Sequence, residues 1–256
     1  MIRGLYTAAS GMITRQIQLE NLSNNIANIN TPGFKKDEMA LKSFDELLIE
    51  NRDRQIGSKS FRRVLGTMEF GVGIDESKTN FSQGIIEDTD RDLDFAINGD
   101  GFFTVLGEDG TERYTRNGRF QINQDGYLAT MEGNIILGID ENGRKTPIKL
   151  LNDNITLSKD GTIENSEGNV KFCISRFDNV SDLIKEGNNM FKSVNEASSV
   201  SSGNVSQKAL EKSNVDAIES VTQMISIMRS YESSQKVVQQ MDETLGKTVN
   251  EVGSIR

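Results

Sequence analysis

Apolar residues recur every seven positions at both ends of this 256-residue chain, and a differently patterned stretch separates the two ends. A seven-residue repeat is typical of α-helices that pair or bundle, because it keeps one narrow apolar face turned toward a partner. The N-terminal helix is expected to end at Thr31, since the residue before Pro32 is driven out of the helical region. Its two interleaved rows, with Arg15 as the charged exception, are Leu5, Met12, Leu19 and Ile26, and Ala8, Arg15, Leu22 and Ile29.

The C-terminal helix carries a similar repeat, with Ser213 or Asn214 as its expected N-cap. The rows are Met224, Tyr231, Val238, Leu245 and Val252, and Ile227, Ser234, Met241 and Thr248, and the stripe is widened by Ile218, Val221, Ile225 and Met228. The simpler alternative is that each helix packs only on the core of its own domain. The heptad spacing and the location at opposite chain ends favour helices that pair with each other and with neighbouring subunits. The residues predicted to pack in this way are Leu5, Ala8, Met12, Leu19, Leu22, Ile26, Ile29, Met224, Ile227, Tyr231, Val238, Met241 and Leu245.

Glycines that follow Asp, Asn or Glu punctuate the middle of the chain, most of them 7 to 10 residues apart. They are Gly101, Gly110, Gly118, Gly126, Gly133, Gly143, Gly161 and Gly168. Asp-Gly and Asn-Gly pairs supply the positive φ that tight hairpin turns require. The sequence between them therefore predicts an antiparallel meander over about residues 70–177, followed by a loop-rich return over residues 195–206.

These patterns assign the chain to the α+β class. The N- and C-terminal heptad helices are predicted to form a coiled-coil-like α-helical domain, with an antiparallel β-rich domain inserted between them. The predicted segments are 1–36 for the first helix and its turn, 37–73 for an extended linker or hairpin, 74–205 for the β-rich domain and 206–256 for the C-terminal helix.

The charge of the chain is concentrated in its middle. The 29 basic and 38 acidic side chains give a net charge of −9, while the two ends are close to neutral. An acidic chain lacks the basic footprint of a nucleic-acid-binding protein. No apolar run approaches the roughly 18 residues that a membrane span needs, and the interrupted apolar pattern of residues 1–30 does not resemble a cleavable signal peptide. We therefore expect neither nucleic-acid binding nor membrane insertion.

The residue inventory also restricts chemistry. The chain has no histidine and one cysteine, which excludes Ser-His-Asp and Cys-His nucleophile pairs and histidine-ligated zinc. Cys173 lies in an apolar run and is expected to be a buried small hydrophobe. The Asp-Gly pairs lack the ligand spacing of a calcium loop, and the acidic run 87–94 is expected to be a solvated face. We predict no enzymatic activity, no metal and no cofactor.

The segment NLSNNIANINTPGFKK, residues 21–36, resembles the N-terminal signature of the bacterial flagellar rod and hook axial proteins. Residues 213–245 resemble the C-terminal helix of the same family, and DLDFAINGDGFFTV and YTRNGRFQINQDGYLAT resemble its central region. Within the family, the chain as a whole is most similar to the distal rod subtype, because the proximal rod proteins are expected to have a shorter segment, or none, where this chain has a long one between residues 48 and 71. The signature residues are Asn24, Asn25, Ala27, Asn28, Thr31, Pro32, Gly33 and Phe34, and Asn214, Val215, Asp216, Arg229, Tyr231 and Glu232.

The resemblance implies a structural subunit of the flagellar basal-body rod that assembles into a helical tube and transmits torque. It implies export by the flagellar type III apparatus without a cleaved signal peptide, and a location in the basal body outside the cytoplasmic membrane. The implied partners are further copies of the chain, neighbouring rod and hook proteins and the export apparatus. We also expect the helical ends to be partly disordered in the free monomer and to order on assembly.

Two other functions remain open from the residues alone. One is an extracytoplasmic β domain with helical tails that binds or hydrolyses cell-wall carbohydrate. It would need paired carboxylates in an aromatic cleft, and the absence of Trp together with an aromatic content of 6% weakens it. The other is a monomeric coiled-coil adhesin, which concentration-dependent polymerisation would distinguish from a rod protein.

Overall fold

A computed structural model describes residues 2–56, 59–107, 109–150, 157–158, 161–165, 168–193, 195, 197, 199–201 and 204–252. The chain forms two compact units. The helical unit comprises residues 1–26, 37–78 and 217–256, and the β unit comprises residues 27–36 and 79–216. The predicted α+β class, with a helix at each end and an antiparallel β-rich centre, is confirmed.

The helical unit contains two long helices, α1 (Ile2–Ala27) and α2 (Ala217–Lys247), and α2 continues into a short π-helical turn, Thr248–Val252. Its strands are β1 (Asp37–Ser43), β2 (Leu47–Ile56), β3 (Lys59–Met68) and β4 (Val72–Thr79). Strand β1 pairs with β4, and β2 pairs antiparallel with β3. The segment predicted as a linker or hairpin therefore contains a long hairpin framed by a second strand pair.

Helix α1 ends four residues earlier than its predicted limit, Thr31. The backbone N–H of Thr31 donates to the carbonyl of Asn28 at 3.1 Å, and the Thr31 hydroxyl lies 3.2 Å from the Asn28 side-chain oxygen. Short polar side chains compete with helical bonding in this way. Ile29, predicted to pack on the first helix, consequently lies beyond α1 in the turn that begins the β unit.

The β unit is built around a sheet of twelve strands among the described residues. The twelve strands are β7 (Phe102–Leu106), β8 (Glu112–Thr115), β9 (Phe120–Ile122), β10 (Leu128–Thr130), β11 (Ile135–Ile139), β12 (Lys145–Pro147), β13 (Thr162–Asn165), β14 (Gly168–Phe172), β15 (Ile174–Arg176), β16 (Leu183–Gly187), β17 (Met190–Ser193) and β18 (Ser199–Ser201). The central path of the sheet runs β13, β14, β11, β7, β8, β17, β16, and each neighbouring pair along it is antiparallel. A short 3-10 helix, Val180–Asp182, precedes β16.

Phenylalanine rings fill the core of the β unit. Phe103 packs edge-to-face on Phe120 at 5.2 Å between ring centroids, and Phe95 meets Phe172 at 4.8 Å. These four side chains are fully buried, together with branched aliphatic residues from several strands. Edge-to-face contacts add to the free energy gained by burying aromatic area. The sheet therefore has a dense hydrophobic core of its own.

The glycine turns are confirmed at most but not all predicted positions. Gly126 has φ +83 and donates its N–H to the Asn123 carbonyl at 3.0 Å, which closes a turn. Gly118 is different, because a Cβ atom at this position would lie 1.6 Å from the Phe95 carbonyl oxygen. The glycine at position 118 is therefore required by a close approach of two backbones rather than by a hairpin turn.

Paired strands also occur at the end of the predicted loop-rich return and at the start of the segment predicted as the C-terminal helix. Strand β19 (Val205–Gln207) pairs antiparallel with β6 (Phe95–Ile97), and β20 (Ala209–Glu211) pairs antiparallel with β5 (Ile86–Asp88). The partners lie more than 100 positions away in the chain, so local composition carries little trace of the pairing. As a result, residues 27–36 and 206–216 belong to the β unit instead of the helical segments to which the sequence assigned them.

Candidate assembly faces and signature junction

The predicted packing residues of α1 and α2 form the more covered faces of these helices. Every one of them that lies on a helix is buried or half-buried, and Leu22 is 8% exposed. Tyr6 and Ile13, which lie off the α1 rows, are 67% and 60% exposed. The Met241 methyl group lies 2.7 Å from where a Cβ on Gly4 would be. This contact places the first turn of α1 beside the last third of α2.

A second apolar face of α2 is exposed. Ile218 is 81% exposed, and Val221, Ile225 and Met228 are between 46% and 47% exposed. These four residues, here named the α2 stripe, were expected to widen the heptad face, but they form a separate row open to solvent. Beside it runs a shallow groove lined by Thr222, Ile225, Ser226, Arg229, Ser230 and Ser233.

The N-terminal signature forms a tight turn against the rest of the β unit. Gly33 has φ +67, and a Cβ there would lie 2.3 Å from the Arg116 carbonyl carbon, so a side chain fits neither the backbone conformation nor the space. The Gly33 N–H donates to the Glu211 carbonyl at 2.7 Å, and the Pro32 carbonyl accepts from the Asn189 amide at 2.9 Å. Phe34 is buried, and the Lys185 ammonium lies 4.2 Å from its ring centroid.

Asn214 connects this turn to the segment that leads into α2. Its side-chain oxygen accepts the Lys36 N–H at 2.8 Å, and its amide donates to the Asn80 carbonyl at 2.8 Å. The Asn214 N–H donates to the Phe34 carbonyl at 3.4 Å. Asn214 is therefore not a simple N-cap of α2, since its side chain joins three segments. We call residues 31–36, 79–85 and 209–215 of the β unit the three-segment junction.

Asn25 makes a comparable connection inside the helical unit. It is 5% exposed, its amide donates to the Asp37 carbonyl at 2.9 Å, and its side-chain oxygen accepts the Asp37 N–H at 3.1 Å. Both backbone groups of the first residue of β1 are thus satisfied by one asparagine of α1. Such paired bonding by a buried amide fixes the angle at which the strand follows the helix.

The remaining signature residues divide by exposure. Val215 is buried, Tyr231 is half-buried, and the exposed members are Asn24, Ala27, Asp216, Arg229 and Glu232. Arg229 lies in the groove beside the α2 stripe. The signature thus combines residues that build the junction with residues that face solvent on α2.

Beneath the junction lie three charged side chains that sequence reasoning did not single out as site residues. Lys35, Arg116 and Glu211, the buried ion cluster, have side chains exposed by 0%, 4% and 1%. One Glu211 oxygen accepts from the Lys35 ammonium and from the Gly84 N–H, and the other accepts from Arg116 Nη1 at 3.2 Å. Lys35 also donates to the Ser82 carbonyl at 2.7 Å. The position of Lys35 directly after the signature turn was the only local signal available.

Burial dominates the electrostatics of this cluster. Desolvation lowers the pKa of Lys35 and of Arg116 below their ordinary values, while attraction to Glu211 opposes both shifts. Two cations share one carboxylate, and Arg116 Nε has no hydrogen-bond partner among the residues that the structure describes. Buried charges are tolerated only when they are paired and hydrogen-bonded. Burial of the two cations therefore depends on their pairing with the Glu211 carboxylate.

Other predicted features can be placed as well. Glu87, Asp88 and Asp90 in the acidic run are exposed as expected, but Asp94 is 1% exposed and lies 3.4 Å from an Arg91 nitrogen. Cys173 is fully buried, and desolvation raises the pKa of its thiol. Within the described ranges, the structure groups no set of three acidic, cysteine or histidine side chains that would hold a metal ion. No described helix is long and apolar enough to cross a membrane.

Comparison with known families identifies the class to which this fold and junction belong. The profile of the flagella basal body rod protein family matches residues 5–35, that of the flagellar hook protein FlgE/F/G D1 domain matches residues 96–169, and that of the flagellar basal body rod FlgEFG protein C-terminal family matches residues 206–251. The three matches fall in the order expected from the resemblance seen in the sequence.

Individual relatives extend this similarity over the whole chain. The flagellar hook-basal body complex protein FlhO of Bacillus subtilis is 33% identical, with 100% of both chains covered. The flagellar basal-body rod protein FlgG of Borreliella burgdorferi is 34% identical over 96% of this chain and 97% of its own length. The rod protein FlgF of Caulobacter vibrioides is 34% identical over 100% of both. This chain belongs to the flagellar basal-body rod and hook protein family.

Proposed function

We propose that the chain is a structural subunit of the flagellar basal-body rod that self-assembles into a helical tube and transmits torque. Full-length similarity to rod proteins of two names, FlgG and FlgF, supports a rod subunit. More specifically, we propose that the chain belongs to the distal rod subtype. A structural role without catalysis is consistent with membership of this family.

The α2 stripe is the observation that carries the assembly proposal. It leaves four large apolar side chains open along one helix, and exposed apolar rows of this kind mark interaction sites. A contact between this row and a different surface of the next subunit does not close on itself, and repeated contacts of that type build helical filaments. Pairing of the heptad faces into a coiled coil, within and between subunits, belongs to the same proposal.

The family also supports a location and a set of partners. We propose that the chain reaches the basal body through the flagellar type III export apparatus without loss of a signal peptide, and that it contacts neighbouring rod and hook proteins as well as its own copies. Since such a channel would pass an unfolded chain, both units would have to fold after export.

Electron microscopy of purified protein over a range of concentrations tests the proposal. We expect filaments above a threshold concentration in the wild type and none with Ile225→Asp, because assembly would bury the introduced charge. The matched control is Gln240→Asp, which changes an exposed residue of α2 outside the stripe. Filaments formed equally by Ile225→Asp would exclude the α2 stripe as an assembly face, and a wild type that never polymerises would contradict self-assembly.

A further inference from the structure

The buried ion cluster joins parts of the β unit that are far apart in the chain. Lys35, Arg116 and Glu211 are separated from one another by 81 to 176 positions. They also fall in three different family matches, residues 5–35, 96–169 and 206–251. In order along the chain, the two cations come first and the carboxylate comes last.

Glu211 is the acid on which both buried cations depend. It bonds directly to Lys35 and Arg116, whereas Asp100, which also attracts Arg116, is exposed. A third cation, Lys185, lies nearby with its ammonium 3.4 Å from the Lys35 carbonyl oxygen. Without Glu211, the described side chains in the interior of the junction would carry like charges and include no carboxylate. Removing one partner of a buried pair is strongly destabilising, because the other charge stays buried and unpaired.

Glu211 comes later in the chain than the two cations that depend on it. Strand β20 is the last strand of the β unit, and Glu211 is its last residue. Lys208, with φ +57, turns the chain from β19 into β20, and its N–H donates to the Asp94 carbonyl at 2.8 Å. A chain that emerges N-terminus first thus presents Lys35 and Arg116, and most of the sheet, well before their counter-charge.

We propose that the buried ion cluster makes closure of the β unit conditional on Glu211. The unit stays open while the chain is incomplete and closes when β20 brings the carboxylate between the two cations. Closure then also fixes the segments that leave α1 and lead into α2, since Gly33 and Asn214 bond across the same junction. The inference concerns the folding of one subunit and is independent of the proposed assembly.

Cys173 provides a direct measure of closure. It is the only cysteine of the chain and is fully buried between β14 and β15, so a thiol reagent such as DTNB reacts with it only when the β unit opens. In the full-length protein, we expect Glu211→Gln to raise the rate of Cys173 labelling by a factor on the order of 100 or more. Glu87→Gln is the matched control, because it removes an exposed carboxylate from the partner strand β5, 2.8 Å from Lys212, and we expect less than about a fivefold change.

A second variant separates charge from shape. Adding Lys35→Met to Glu211→Gln removes one of the two unpaired cations, so labelling should slow again relative to Glu211→Gln alone. If the cluster acted only through packing, the second substitution would speed labelling further. Any of three results would overturn the proposal. They are a wild-type rate of Cys173 labelling in Glu211→Gln, an equal increase of that rate in Glu87→Gln, and faster labelling in the double variant than in Glu211→Gln.

Discussion

The β unit and the helical unit bury their side chains to very different extents. In the β unit, large apolar residues such as Phe95, Phe103 and Phe172 are fully buried in one core cluster. Among the described side chains of the helical unit, the buried ones are Thr14, Leu22, Asn25 and Ser220, of which Leu22 alone is apolar. The helical unit thus satisfies polar groups internally but leaves its apolar faces half-covered.

This difference separates intrinsic stability from stability that depends on partners. A dense apolar core offsets the conformational entropy lost on folding without help from other molecules. Long helices with half-buried apolar faces gain most of their stability from packing, because helix propensity alone is marginal. We therefore expect substitutions in the β unit to act on each subunit, and substitutions on the helices to act mainly where helices meet.

The largest expected effect is on the β core. Phe103→Ala should lower the free energy of unfolding of the β unit by about 3–5 kcal/mol, since it removes a fully buried ring and leaves a cavity. Urea denaturation followed by near-ultraviolet circular dichroism measures the change. Ile184→Ala, at a position 59% exposed on β16, is the control and should change stability by less than about 0.5 kcal/mol. A loss below about 1 kcal/mol for Phe103→Ala would mean that the core is looser than its burial indicates.

Local patterns predicted the features that local physics controls. The heptad rows of Leu5 and Met224, and the strand run at Phe102, depend on side chains a few positions apart, and the structure contains these elements. The buried ion cluster escaped prediction because Lys35 and Glu211 are ordinary charged residues until two distant segments meet. Asp94 was assigned to a solvated run for the same reason, since its burial accompanies backbone contacts with residues 119 and 208 that sequence spacing does not encode.

The second-largest expected loss of stability is at the heptad face of the helical unit. Leu22→Asp places a charge at a buried position and should destabilise helix packing by on the order of 3 kcal/mol, and Val238→Asp, at a half-buried position, should cost less. Loss of ellipticity at 222 nm on heating measures the change. Val237→Asp is the matched control, because the neighbouring side chain is 40% exposed.

The same variants test whether the two units are independent in stability. Leu22→Asp should leave Cys173 as protected from thiol reagents as in the wild type, because the β unit keeps its own core. Retained helicity and normal filaments in Leu22→Asp would show that the heptad face is not a packing face. Exposure of Cys173 would show that the β unit depends on the helices.

The buried ion cluster predicts a moderate pH effect confined to the β unit. Burial lowers the pKa of Lys35 from its ordinary value of 10.5. Between the lowered folded-state pKa and the unfolded-state value, only the unfolded chain holds the proton, so this group makes stability rise with pH. Below the folded-state pKa, both states are protonated and the dependence disappears. The slope in the window is at most about 1.4 kcal/mol per pH unit.

Comparison with Lys35→Met isolates this contribution. Other groups titrate in the same range, including Cys173, whose raised thiol pKa makes stability fall as pH increases. The difference between wild type and Lys35→Met in urea midpoints from pH 7 to pH 10.5 should therefore shift in favour of the wild type as pH rises. Parallel profiles would mean that Lys35 keeps its ordinary pKa inside the cluster.

The smallest expected effect concerns the two glycines of α1, and it tests whether the helices pair in the free monomer. Gly11 has nothing within 4 Å of where a Cβ would be, so Gly11→Ala should stabilise the helix by about 0.5–1 kcal/mol. Gly4→Ala should give less, because its new methyl group would meet the end of the Met241 side chain at 2.7 Å. Thermal unfolding of dilute protein at 222 nm measures both.

If the ends of the free monomer are disordered, as the sequence predicts, Met241 is not held against Gly4, and the two substitutions should differ only by their positions in the helix. Gly4→Ala together with Met241→Ala decides between these outcomes. If Gly4→Ala stabilises the helix more when Met241 is also replaced by alanine, α1 and α2 already pack in the monomer. If Met241→Ala leaves the effect of Gly4→Ala on stability unchanged, the contact forms only on assembly.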